Sequence, residues 1–209
     1  MIEVIENSIQ LAALTVCAVI ATVFAVRDRS RRSALLAMFY GSYVLGDTYW
    51  LLYLVFYGHT PSLFYVPYLC WYAAYVFLHL LLLRLSSETE RCFRAPAAWA
   101  GPVFTVAMGV FYILQWGDVL GNLITALLMG LLLYHLIRGF LYLRKHPEEG
   151  NRWWMYLLAL VFCVLEYAAW TASCFFWDEV LTNPYFWFDF LVTPCTVLFL
   201  PACRKAVSA

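Results

Sequence analysis

Seven apolar stretches, each long enough to cross a bilayer, decide what this chain can fold into. They are Ser8–Val26, Ser33–Tyr57, Ser62–Leu85, Pro96–Trp116, Val119–Arg144, Trp153–Trp177 and Tyr185–Cys203. A helix that crosses the hydrocarbon layer needs about 20 mainly apolar residues. Lipid offers backbone N–H and C=O groups no partner, so each stretch must close its own hydrogen bonds as a helix. The connections are too short to hold a soluble domain. Composition agrees, with 65% of residues apolar and 12% charged, against roughly half and a quarter in soluble domains. The expected fold is an all-α polytopic integral membrane protein, a single seven-helix transmembrane domain over residues 1–209. The expected location is a bacterial cytoplasmic (plasma) membrane. Met1–Asn7 carries Glu3 and Glu6 and no basic residue, so the first stretch reads as a true helix and not as a signal peptide.

Net charge is zero, with 13 basic and 13 acidic residues, which gives no electrostatic case for nucleic acid. The distribution of the charge carries more information than its sum. Arg27, Arg29, Arg31 and Arg32 follow the first stretch, and Arg84, Arg91 and Arg94 close or follow the third. Arg138, Arg144, Lys145 and Arg152 surround the connection between the fifth and sixth stretches, and Arg204 and Lys205 follow the seventh. These are all 13 basic residues, and seven crossings put them on one side. Positive residues favour the cytoplasmic side. The N-terminus is therefore expected outside and the C-terminus inside, with Gly58–Pro61, Gly117–Asp118 and Asp178–Pro184 also outside.

Asp47 in "VLGDTYW" and Glu166 in "VLEYAAW" lie near the middle of the second and sixth stretches, at matching depth. A charge facing lipid there would cost at least about 2.5–3.5 kcal/mol, so such residues face the bundle interior and default to a functional reading. No Lys or Arg lies within a helical turn of either depth. Proton exchange or cation binding is the chemistry such a pair supports. The plainer alternative is a neutral carboxyl making a structural interhelical hydrogen bond.

Helical spacing gathers neighbours around the acids. Tyr43, Asp47 and Trp50 share one face, as do Cys163, Glu166, Trp170 and Ser173. Tyr68, Tyr72, Tyr75 and His79 form a third stripe, and Asp189, Thr193 and Thr196 a fourth. Aromatic faces beside carboxylates attract organic cations. The candidate ligand-binding or proton-carrying set is Asp47, Glu166, Asp189, Trp50, Trp170, Tyr43, Tyr72 and His79. Core packing and an interfacial aromatic belt compete as explanations of the aromatic residues. His79 should sit about 10 Å inward of Asp47, from the rise of about 1.5 Å per residue. It reads either as a step in a proton path or as a structural histidine.

The two acidic heptads also raise a 3+1+3 pseudo-repeat, for which chance likeness between aromatic-rich helices is the simpler account. Pro67, Pro102 and Pro194 fall inside stretches, where they predict kinks. Seven cysteines form no C-x-x-C, and no His or Cys cluster has zinc or haem spacing. No metal or cofactor is expected. Retinal needs a mid-span lysine, but Lys145 and Lys205 both sit at inner ends.

"LGD" at Leu45–Asp47, followed by His79 in the third stretch, resembles bacterial lysoplasmalogenase-like membrane proteins. Those proteins have eight helices, the likeness covers only part of the chain, and no catalytic residue carries over. The 3+1+3 order resembles sugar-transporter and rhodopsin architectures, without their signature motifs. Three functions follow as expectations. The first is a proton-coupled secondary transporter with an outward-opening cavity for a small, cationic ligand. The second is a receptor subunit signalling to a cytoplasmic partner. The third is an intramembrane lipid-modifying enzyme using Asp47, Glu166 and His79. It ranks last, since neither G-x-S-x-G nor H-E-x-x-H occurs. The expected partners are the lipid bilayer and a small-molecule ligand, and homo-oligomerisation is compatible with the chain.

Overall fold

A computed structural model of the chain describes residues 2–59, 65–176 and 181–207. Among these residues all regular structure is helical. The α-helices are α1 (Ile2–Arg27), α2 (Arg31–Tyr57), α3 (Tyr65–Leu85), α4 (Glu88–Cys92), α5 (Ala100–Trp116), α6 (Val119–Lys145), α7 (Trp153–Phe175), α8 (Pro184–Val197) and α9 (Phe199–Val207). Among the described residues, six helical segments are long and apolar enough to cross a membrane: Ile2–Arg27, Val66–Leu85, Pro96–Trp116, Val119–Lys145, Pro147–Phe175 and Pro184–Ala206. α2 is as long as α6, 27 residues, but Asp47 and its tyrosines dilute its apolar content.

Local chemistry sets the turns. Ser30 caps α2 by accepting the Ser33 N–H at 3.2 Å, which satisfies an amide the helix itself cannot. Gly58 and Gly117 end α2 and α5 at φ 73° and 74°, a conformation glycine adopts without steric penalty. Asp118 follows at once and accepts the Gly121 N–H at 3.0 Å to start α6. Such tight connections make sequence neighbours antiparallel partners, and α1 packs on α2, α2 on α3, α5 on α6 and α7 on α8.

The structure departs from the expected boundaries in three places. α1 starts at Ile2 and not Ser8, so Glu3, Glu6 and Asn7 enter the helix and are buried. The short α4 and a 3-10 turn at Pro147–Arg152 were not anticipated. The last stretch divides into α8 and α9 at Leu198, three residues before Pro201, which has no N–H for the Val197 carbonyl. Pro61, Phe64, Trp177 and Ala209 lie outside the described residues.

The bundle has two distinct ends. At one, basic residues tie the connections together. The Arg204 guanidinium lies 4.3 Å from the Phe24 ring centre, and Lys145 lies 5.1 Å from that of Phe93. Arg138 donates to the Arg91 carbonyl at 3.1 Å, and Arg152 to that of Leu85 at 3.1 Å. The middle of the bundle is an aromatic layer of Phe39, Phe162 and Phe199, all with no exposed surface. Their ring centres lie 5.5–6.1 Å apart. Beyond that layer, toward the other end, the interior opens.

Candidate functional site

A cavity of about 1130 Å³ fills the end of the bundle away from the basic residues. Its mouth is formed by Gly58, His59, Trp116, Gly117, Asp118 and Asn183. Its floor is Tyr43, Tyr75 and Glu166, one helical turn above Phe39 and Phe162. Five acidic residues line it, Glu3, Asp47, Asp118, Glu166 and Asp189, and no Lys or Arg does among the described residues. Trp50, Trp71, Tyr68, Tyr72, Trp170 and Tyr185 supply aromatic walls.

Each acid is held differently. Glu166, on α7, accepts the Tyr43 hydroxyl at 2.5 Å through one oxygen and the Tyr75 hydroxyl at 3.1 Å through the other. Two phenols thus fix its carboxyl on the floor. Asp47, on α2, accepts the Trp71 indole N–H at 3.1 Å through Oδ1. Its Oδ2 is buried and has no hydrogen-bond partner among the described residues. The residue as a whole is only 3% exposed. Leaving a polar atom in that state costs about 1–3 kcal/mol.

Gly46 makes the Asp47–Trp71 contact possible. A Cβ there would meet the Trp71 indole nitrogen at 2.8 Å and the Cys70 Cβ at 3.2 Å, so only glycine lets α2 and α3 approach this closely. From α2, Trp50 donates to Glu3 on α1 at 3.2 Å. Glu6 sits against Asp189 from α8, with Asn7 donating to Glu6 at 3.1 Å. Tyr185 reaches Asp189 at 3.5 Å from one turn earlier in α8. Tyr72 instead donates to the Gly121 carbonyl at 3.0 Å and anchors α3 to α6.

The structure therefore brings seven of the expected residues to one cavity: Tyr43, Asp47, Trp50, Tyr72, Glu166, Trp170 and Asp189. His79 is not among the residues lining it. It lies toward the basic end, its ring centre 5.5 Å from that of His135 in an edge-on arrangement. His135 in turn contacts Arg138 at 3.2 Å. Among the described residues no group of three or more His, Cys, Asp or Glu has the geometry to hold a metal.

Glu3 and Glu6 are missed by the sequence reading, though a signal for them exists; Trp71 reads there only as a deep aromatic residue that packs the core or lines a pocket. Glu3, Glu6, Asn7 and Gln10 follow i, i+3, i+4, i+7 spacing, which on a helix is one polar face, and all four are buried. Trp71 lies between Tyr68 and Tyr75 on the stripe already noted. Glu90 was also missed. It has no exposed surface and accepts Arg152 at 2.7 Å and the Tyr156 hydroxyl at 2.7 Å. Arg152 is shared with Glu149, which also accepts the Tyr142 hydroxyl at 2.6 Å. That network closes the basic end.

The chain matches no family model, no curated protein and no solved structure.

Proposed function

We propose that the protein binds an organic cation in the acidic, aromatic cavity and carries it across the membrane as a proton-coupled secondary transporter. In this reading α2 joins the six apolar helices as a seventh span. Tyr43, Asp47 and Trp50 on it line the cavity and so are turned away from lipid. The N-terminus and the cavity mouth face outward and the basic end faces the cytoplasm, as the positive-inside rule favours.

The single observation that carries the reading is the Asp47 Oδ2, which has no partner among the described residues, in a cavity lined by acids and, among those residues, by no Lys or Arg. An ammonium group completes that carboxylate as a donor or counter-charge, and Trp50, Trp71 and Trp170 offer π faces to the rest of it. A bound proton completes the same oxygen when the cation is absent. Exchange of one for the other couples the two movements. The aromatic layer of Phe39, Phe162 and Phe199 and the Glu90–Arg152 network support a state closed on the cytoplasmic side.

The test is uptake of labelled tetramethylammonium, or of a small primary amine, into proteoliposomes with an imposed pH gradient. Wild type should accumulate the cation in proportion to the gradient. Asp47→Asn and Glu166→Gln keep shape and hydrogen-bonding capacity but remove the charge. Each should abolish gradient-driven uptake while the protein still assembles. Uptake by wild type that ignores the gradient, or full uptake by both variants, would sink the reading.

A further inference from the structure

The basic end holds a cluster that the cavity does not use. His79 on α3 and His135 and Arg138 on α6 come together where those two helices pack. The His79 and His135 ring centres lie 5.5 Å apart, and Arg138 Nη2 lies 3.2 Å from His135 Nδ1. Arg138 stands seven residues before the end of α6, about 10 Å along a helix. It is only 9% exposed.

An arginine keeps its charge when buried, so this one calls for a counter-charge or a full set of acceptors. Among the described residues it has neither. No carboxylate there pairs with it. Glu90 approaches the adjacent Gly139, but its two oxygens are taken by Arg152 and Tyr156. Arg138 Nη1 donates to the Arg91 carbonyl at 3.1 Å, and Nη2 meets the His135 imidazole. Arg138 Nε and His79 Nδ1 are both buried, with no hydrogen-bond partner among the described residues. An arginine Nε can only donate. What is missing is an acceptor, and beside a cation and two imidazoles an anion supplies it best.

The surroundings point to a phosphate. The Arg138 guanidinium lies 5.5 Å from the Tyr134 ring centre. Tyr134 packs on Trp99 with ring centres 5.3 Å apart, and Trp99 is exposed on the outside of the bundle. Tryptophan and tyrosine favour the headgroup level of a bilayer. Arg91 and Arg94 are exposed on the connection that leads to Trp99. Basic pockets between helices bind lipid phosphates, and a guanidinium matches a phosphate with paired N–H groups. We propose that Arg138, His79 and His135 form a site for a phosphate group, brought by an anionic phospholipid or by a soluble phosphate, with Arg91 and Arg94 drawing it in. None of these residues lines the acidic cavity, so the site stands whether or not that cavity takes a cation.

The test titrates the full chain in a neutral detergent with dioctanoyl phosphatidic acid, with dioctanoylglycerol and with inorganic phosphate, and reads affinity from the shift of the melting transition. The two lipids differ only in the phosphate. The medium contains about 0.5 M sodium chloride, which screens attraction to exposed arginines far more than contact with a buried one. Wild type should bind phosphatidic acid at least about tenfold more tightly than dioctanoylglycerol. Arg138→Gln keeps donors but removes the charge and should erase that preference. His79→Phe keeps a planar ring and should lower it at least about threefold, which keeps the test alive if Arg138→Gln fails to assemble. Inorganic phosphate that binds as tightly, and is lost in the same variants, assigns the site to a soluble ligand. Binding only when the tails are present assigns it to a lipid. A preference kept in full by either variant comes from the exposed arginines and overturns the proposal. No preference in wild type means that water satisfies the orphan atoms, and overturns it as well.

Discussion

Asp47 owes its place to the residue beside it. Gly46 has no side chain, so the Trp71 indole can lie over α2 and donate to Asp47 Oδ1 at 3.1 Å. The Trp50 and Trp71 ring centres then lie 5.8 Å apart, with Trp71 donating to Asp47 and Trp50 to Glu3. Gly46→Ala puts a Cβ only 2.8 Å from the indole nitrogen. Overpacking of that kind costs typically about 1–3 kcal/mol, and here the indole is the group that must move. Trp71→Phe removes the donor without the clash and leaves a second Asp47 oxygen unpaired. Both variants should lower unfolding stability in detergent, each by about 1–3 kcal/mol. The double variant should be little worse than either, because both act through one contact. Additive losses would show that Gly46 matters for something other than Trp71.

At the scale of elements, the long helices were legible because length and hydropathy declare them, and the short ones were not. α4 has only five residues, fewer than two turns, so no periodicity can show in it. The Pro147–Arg152 turn reads as a polar loop for the same reason. These two short pieces nonetheless hold the basic end closed, since Glu90 from α4 pairs with Arg152 across the bundle. Burial in the fold, and not any local pattern, is what distinguishes Glu90 from Glu88 beside it. The start of α1 was misplaced for a related reason. Glu3 and Glu6 lower local hydropathy, and only their helical spacing reveals that they turn inward. Removing one partner of a buried ion pair destabilises by about 3–5 kcal/mol, because the other charge stays buried. Glu90→Gln should therefore lower unfolding stability in detergent by about 3 kcal/mol, the low end of that range, since Glu149 remains beside Arg152. Glu148→Gln changes a carboxyl whose side chain is 67% exposed and should move the melting transition hardly at all. Equal effects from the two would remove the network as a source of stability.

At the scale of the whole molecule, the cavity acids and the basic residues lie at opposite ends with the aromatic layer between them. The sequence carried that polarity in full, because every Lys and Arg falls in four segments that alternate with the others. What no sequence pattern could supply was which faces meet, since α2, α3 and α7 turn aromatic residues both to the core and to the cavity. The arrangement has a sidedness that labelling can read. Ser173 lines the cavity on α7, above the phenylalanine layer. In a chain whose seven cysteines are replaced by serine or alanine, Ser173→Cys supplies one thiol at that depth. A thiol reagent that cannot cross membranes should label it in intact cells from outside, and an organic cation should protect it. Labelling only from the cytoplasmic side of inverted vesicles would reverse the proposed orientation. Transporter and receptor then part ways under load. A transporter must also show Ser173→Cys to the other side, so cation together with a pH gradient should make it reactive in inverted vesicles as the Phe39–Phe162–Phe199 layer opens. A receptor keeps that layer shut, and its thiol stays accessible from outside alone, however much ligand is added.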